Sequence, residues 1–317
     1  MHKDSKILIV GHDDITENSL YAYLSANGFE HVFSSSRIGL DPTIQVSIYE
    51  FFQKHKPEYV FLASTRSGGI EANRNSGAEF MYHNLESQNN VLYSAWKFGA
   101  KKLLYFGGSC VYPKECSQPM APDAILTGPL EETSEPYSLA KIAGLKLCRA
   151  FKKQYGFNAV TMVPATVYGA GSDVDIETAH VMGALIGKFA QAVREHQKEV
   201  TVWGTGQARR EFLHADDFVS ACHFLMDHYD GDQVINAGCG SDVTIKELAE
   251  TIARISGFDG KIVFDGTKPD GTRQKLLDSS VIAGLGWKPK ISLEEGIKRT
   301  YQWYLSRGQV RTAAVKS

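Results

Sequence analysis

The strongest constraint on this chain is an alternation. Short apolar runs rich in β-branched residues give way to segments with helical spacing, and the pair recurs throughout the first half. Lys6–Val10 runs into Gly11, and residues 15–27 then carry Leu20 and Leu24 at helical intervals and close on Gly28. Strands are expected at 31–35, 59–64, 102–107 and 159–164, with helices at 46–56, 80–98 and 137–155 between them. Nearly continuous apolar strands separated by helices imply a parallel sheet covered on both faces. The fold class expected is therefore α/β, a Rossmann-type doubly wound parallel sheet.

Beyond Pro164 the pattern loosens. A loop rich in glycine and acids at 169–177 precedes a helix near 181–195, then strands at 200–204 and 211–215 and a helix at 216–228. A strand at 233–237, a helix at 245–256, a strand at 261–264 and a helix near 293–305 follow, and 311–317 reads as a frayed end. This gives a dinucleotide-binding domain over 1–165, with a returning segment at about 205–235. Residues 166–204 and 236–317 form a smaller α/β lobe that closes over the carboxyl edge of the sheet, where such folds bind ligands.

Composition excludes several alternatives. The 317 residues, 43% hydrophobic with a net charge of −2, suit a sizeable core and leave no nucleic-acid footprint. The longest apolar runs are strand-sized, too short to span a membrane. The N-terminus passes directly into a strand, leaving no room for a secretory signal. Cys110, Cys116, Cys148, Cys222 and Cys239 are odd in number and lack metal-ligand spacing, which fits free thiols in a reducing cytoplasm and no metal site.

Tyr137 and Lys141 lie four apart at the start of a helix and so share one face. A lysine so placed lowers the phenol's pKa and can hold a nicotinamide ribose, while the phenol trades a proton with a carbonyl oxygen. One strand and loop earlier stands Ser109-Cys110-Val111-Tyr112-Pro113. Together these motifs resemble the extended short-chain dehydrogenase/reductase (NAD-dependent epimerase/dehydratase) family. Further stretches are similar to its GDP-L-fucose synthase branch: Gly68-Gly69-Ile70, Pro119-Met120, Glu135 to Gly144, Val202-Trp203-Gly204-Thr205-Gly206, Arg210 to Asp217, Lys268 to Thr272, Leu276-Leu277-Asp278 and Leu285-Gly286-Trp287.

That resemblance implies epimerisation at C3 and C5 of an NDP-4-keto-6-deoxyhexose, GDP-linked, followed by NADPH reduction at C4. It implies a catalytic set of Tyr137, Lys141, Cys110, His180 and Ser109, with Cys110 and His180 as the epimerising acid/base pair. Cofactor contacts fall at Gly11, His12, Arg37 and Lys141, substrate contacts at Trp203, Arg210 and Lys275, and a homodimer would pair the helices at 80–98 and 137–155. A 4,6-dehydratase is not expected, since that chemistry needs an acid pair where this chain has Ser109 and Cys110. The alternative is a non-catalytic nucleotide-sugar-binding relative that regulates a partner enzyme.

A 4-ketone acidifies the hydrogens at C3 and C5, so inversion needs one group to remove a proton and another to return one from the opposite face. Thiol and imidazole, with reference pKa values of about 8.5 and 6.5, bracket neutrality as such a pair should. The plainer readings are a buried small hydrophobe for Cys110 and a helix-terminal residue satisfied by backbone for His180. Trp203 could equally be core, and 210–217 a buried polar turn with Asp216 capping the next helix.

Two departures stand against the resemblance. The branch's catalytic serine is Gly108 here, and the glycine loop reads Gly11-His12-Asp13-Asp14-Ile15-Thr16-Glu17, with acids at its second and third glycine positions. Glycine there permits close backbone approach to a pyrophosphate. Charges of Asp13, Asp14 and Glu17 facing that place would repel it, by roughly 4 kcal/mol for like charges about 4 Å apart at an effective dielectric near 20. Acids in a helix's first turn also complement its dipole, which explains them without a cofactor. Ser34-Ser35-Ser36-Arg37 after the second strand could still hold a 2′-phosphate, favouring NADP over NAD.

Overall fold

The computed structural model describes residues 1–12, 14–63, 66–175 and 179–314. In the first half the order is β1 (Lys6–Val10), α1 (Ile15–Ala26), β2 (His31–Ser34), α2 (Gln45–His55), β3 (Tyr59–Leu62), α3 (Ile70–Asn75), α4 (Gly77–Lys97), β4 (Lys102–Phe106), α5 (Glu135–Tyr155) and β5 (Ala159–Pro164). There follow β6 (Thr166–Tyr168), α6 (Val181–Arg194), β7 (Glu199–Trp203), β8 (Arg209–Arg210), β9 (Phe212–His214), α7 (Ala215–His228) and β10 (Ile235–Ala237). The chain continues through β11 (Val243–Thr244), α8 (Ile245–Ser256), β12 (Lys261–Asp265), β13 (Gln274–Lys275), α9 (Ser280–Gly284) and α10 (Leu293–Ala314).

The main sheet has the order β10-β5-β4-β3-β1-β2, with every pairing parallel. Ile7, Leu8, Ile9 and Val10 are fully buried, as a strand covered on both faces requires. Helices α2, α4 and α5 pack side by side on one face, and α1 packs with α7 on the other. From β1 the chain moves outward to β2 and then back past β1 to β3. The crevice at this reversal lies between the loop after β1 and the loop after β3, the usual place for a ligand in an open α/β sheet.

Two buried apolar clusters result. One holds the sheet together with Phe218, Leu225, Ile282 and Trp287; the other joins Ile186 and Phe189 of α6, Leu248 and Ile252 of α8, and Ile297 of α10. A separate small sheet has the order β11-β8-β13. Strands of two or three residues such as β6, β8, β11 and β13 are too short for alternation to reveal. Several boundaries differ from expectation, among them these. Pro136 sits in the first turn of α5, so that helix begins at Glu135 rather than Tyr137. The residues 311–314 continue α10 instead of fraying, since Gly308 alone does not stop it, while 315–317 lie outside the described residues. The strand expected at 59–64 ends at Leu62, and Ser64 is outside the described residues.

Candidate active site

Helix α5 sits low on β4 because glycine lets it. A β-carbon at Gly144 would lie 2.2 Å from Tyr105 Oη, so no larger residue fits without moving that ring. Tyr105 Oη donates to Gln88 Oε1 at 2.7 Å, and Gln88 Nε2 donates to the Ala140 carbonyl at 2.9 Å, fixing α5 against α4. Lys141 is thereby carried to the carboxyl end of β4, where its ammonium donates to the Phe106 carbonyl at 3.1 Å. Burial draws Lys141 down to about 8, with the charges of Cys110 and Asp14 opposing.

Tyr137 lies one turn earlier on the same face. Its phenol is pushed well above the usual range by burial, Cys110 and Asp14 add to this, and the neighbouring Ser67 hydroxyl opposes it. The sequence led to the opposite expectation, a phenol acidified by lysine. Burial dominates at this phenol, so Tyr137 stands as a neutral hydrogen-bond donor.

After β4 the chain turns through Gly107 and Gly108 into a single 3-10 turn, Ser109–Val111. A β-carbon at Gly108 would stand 3.0 Å from Tyr137 Oη and 3.5 Å from Cys110 Sγ, so phenol and thiol flank one small space. Burial pushes the Cys110 thiol up, against Lys275, the Ser138 hydroxyl and Lys141. His180 is the residue at which α6 begins. The loop leading to it crosses that helix closely, since a β-carbon at Gly183 would meet the Asp173 carbonyl at 1.9 Å. The residue is exposed at the surface, with protein atoms crowded around its imidazole. Burial lowers its pKa, Asp173 opposes and Lys275 reinforces the fall. Lys275 thus lies within electrostatic reach of both Cys110 and His180.

Pairing of β13 with β8 puts Lys275 directly beside Arg210. Two adjacent cations make a positive wall suited to phosphates, and each lowers the cost of desolvating an anion placed there. Arg210 Nη1 donates to the Arg209 carbonyl at 2.7 Å and Nη2 to the Asp270 carbonyl at 3.4 Å. Trp203 is 48% exposed, not core, and the ammoniums of Lys188 and Lys268 each lie 5.2 Å from its ring centre. Asp270 fixes the following turn: its carboxylate accepts from Thr205 N and Thr205 Oγ1, both at 2.7 Å.

The 210–217 stretch is not a polar turn, since it runs from the end of β8 through β9 into the start of α7, and the cap of that helix also differs from expectation. His214, not Asp216, caps α7 by accepting from Asp216 N at 3.2 Å. Glu211 is buried and accepts from Gly240 N and Leu277 N, while Asp217 accepts from Lys290 N and Ile291 N.

The loop after β1 departs from expectation in one respect. Asp14 caps α1, its Oδ1 accepting from Glu17 N at 2.9 Å, and burial raises its pKa to about 6. Glu17 does not turn its charge toward a pyrophosphate. It is fully buried and runs beneath Gly11, whose β-carbon would come within 2.5 Å of Glu17 Cβ. Its Oε1 accepts from Ser34 Oγ at 2.7 Å, Ser36 N at 3.1 Å and Ser35 Oγ at 3.3 Å. His12 is half-buried, and burial lowers its pKa with help from Arg66. Arg37 lies over the Tyr21 ring at 4.3 Å and donates to Asn18 Oδ1 at 3.2 Å. Asp13 lies outside the described residues.

Tyr137 and Cys110 thus meet beside Gly108 with Lys141 within electrostatic reach of the thiol, Lys275 stands beside Arg210 and within electrostatic reach of Cys110 and His180, and Ser109 sits in the same turn as Cys110. Arg37 lies beside α1. Sequence reasoning did not single out Ser67, Ser138, Asp173 and Asp270, because a serine or aspartate, whether in a loop or on a helix as Ser138 is, carries no signal until its neighbours are known. Among the described residues no cluster of His, Cys, Asp and Glu could hold a metal ion, and no helix is long and apolar enough to cross a membrane.

Comparison with known proteins gives the family. Residues 7–238 match the model of the NAD dependent epimerase/dehydratase family. The chain is 45% identical over 303 residues to GDP-L-fucose synthase 1 of Arabidopsis thaliana, covering 96% of this chain and 94% of that one. It is 38% identical over 309 residues to GDP-L-fucose synthase of Escherichia coli K12, covering 95% and 96%. Among solved structures, a GDP-6-OMe-4-keto-L-xylo-heptose reductase from C. jejuni superposes with a TM-score of 0.91 at 34% identity, covering 97% and 99%. A GDP-mannoheptose C4 reductase from Campylobacter jejuni, solved with NADP bound, gives 0.88 at 36% identity, covering 96% and 99%.

Proposed function

The chain belongs to the NAD dependent epimerase/dehydratase family, and on that premise we propose that it is a nucleotide-sugar epimerase/reductase. Its substrate is a GDP-linked 4-keto-6-deoxyhexose, and its first chemistry is proton exchange at C3 and C5. The observation that carries this reading is the shared space at Gly108, with Tyr137 Oη at 3.0 Å and Cys110 Sγ at 3.5 Å.

The resting protonation states assign roles. A neutral phenol at Tyr137 donates a hydrogen bond to the C4 oxygen and stabilises the enolate that forms when a C3 or C5 proton leaves. The Lys141 ammonium behind it adds positive potential. His180, neutral because its pKa is lowered, accepts a proton, and the Cys110 thiol, protonated because its pKa is raised, returns one. Lys275 and Arg210 bind the diphosphate, and Trp203 offers a stacking face to the base or sugar. NADP(H) is the cofactor of this reading and supplies hydride to C4 when bound. The residues for its reacting end are present in Tyr137 and Lys141, while the region for its adenosine end is occupied by the chain's own Glu17. We place the reaction in the cytoplasm and assign a homodimer formed through α4 and α5, on which Tyr82, Tyr93 and Tyr155 are exposed.

Tyr137→Phe tests the reading. It should remove most turnover while leaving GDP-sugar affinity within about twofold, since the phenol acts on charge that develops only during reaction. An unchanged rate would leave a non-catalytic sugar-nucleotide-binding subunit as the better account. Such a subunit has no need to keep Tyr137, Lys141, Cys110 and His180 together.

A further inference from the structure

The four residues from the end of β2 onward, Ser34 to Arg37, that the sequence marks as a 2′-phosphate site are already committed within the chain. Ser34 Oγ, Ser35 Oγ and the Ser36 amide converge on a single oxygen, Glu17 Oε1, at 2.7, 3.3 and 3.1 Å. Ser34 and Ser35 are buried with it, and Ser35 Oγ also accepts from Gly11 N at 2.9 Å. Arg37, the one cation of the set, is held against Tyr21 and Asn18 on α1. A carboxylate therefore sits at the end of β2 among donors of the kind a phosphate would use, and it reaches them from the position where a glycine would leave room.

We infer that Glu17 is an internal stand-in for the 2′-phosphate, which occupies the donors at the end of β2 and removes the chain's preference for phosphorylated over unphosphorylated nicotinamide dinucleotide. The physical argument has two parts. Hydrogen-bond donors satisfied by a buried anion gain nothing from a second one. A fixed negative charge close to the site also repels the 2′-phosphate selectively, because the two dinucleotides differ there by that group alone. The pyrophosphate and nicotinamide are common to both and cancel in the comparison. This inference rests on the reading of the protein as a nicotinamide-dependent sugar-nucleotide enzyme and names what sets its cofactor selectivity.

Calorimetric titration with NADPH and with NADH, on wild type and on Glu17→Gly, tests it. Wild type should bind the two with similar affinity. The glycine variant should gain about tenfold or more for NADPH and much less for NADH, as expected for removing one like charge within a Debye length. Glu17→Gln, which keeps the shape and loses the charge, should show the same selectivity to a smaller degree, and it decides the matter if the glycine variant does not fold. Equal gains for both dinucleotides, no gain for either, or a wild type that already prefers NADPH strongly would overturn the inference. Titration of the same samples with GDP separates the two failures. Intact GDP binding with no cofactor selectivity change refutes the role of Glu17 alone, whereas loss of GDP binding in wild type refutes the underlying reading.

Discussion

The side chain missing at Gly108 would point its β-carbon to within 3.0 Å of Tyr137 Oη. Residue 108 is extended, with φ −140° and ψ 154°, so any residue can adopt its backbone. The contact is tight but meets the end of a side chain, and the phenol need yield only a few tenths of an ångström. Gly108→Ser should therefore fold and set a second hydroxyl beside the first, aimed at the same ketone oxygen. One added donor to a developing oxyanion should raise proton exchange at C3 and C5 by about tenfold or more. An unchanged rate with intact GDP affinity, read by NMR and calorimetry, would mean that this hydroxyl does not reach the ketone.

Asp14 gives a pH signature. Its folded pKa, about 6, stands above its ordinary 3.8, so the folded state binds the proton more tightly than the unfolded chain does. Stability from this group is present below about pH 4 and is lost as pH rises through about 6. Asparagine caps a helix about as well as aspartate and carries no charge. Asp14→Asn should accordingly stabilise the protein by about 1–2 kcal/mol at pH 7.5 and by almost nothing at pH 4. Denaturant titrations at the two pH values check this, and an equal effect at both would locate the gain elsewhere.

Much of this was legible in the sequence. The parallel sheet followed from apolar runs such as Lys6–Val10, and Tyr137 and Lys141 followed from helical spacing and the motif before them. Three-dimensional register was not legible. Nothing in the sequence sets Lys275 beside Arg210, because β8 and β13 are two-residue strands far apart along the chain. The direction of Glu17 was also hidden, since an acid in a first turn usually faces solvent, and only the packing beneath Gly11 turns this one inward. The phenol of Tyr137 was misjudged for a related reason. Spacing shows which charges are near, but burial decides which of them prevails.

The most direct test of the central claim is hydrogen exchange without added cofactor. Incubated in D₂O with GDP-4-keto-6-deoxymannose and no NADPH, the protein should wash deuterium into C3 or C5. Exchange should persist to lower pH than an ordinary imidazole base would allow, because the His180 pKa is lowered. Cys110→Ser should slow it sharply, since an alcohol is a far weaker acid than a thiol. Absence of exchange in wild type, together with stoichiometric NADPH oxidation when cofactor and sugar are both supplied, would contradict the account and make the protein a plain reductase.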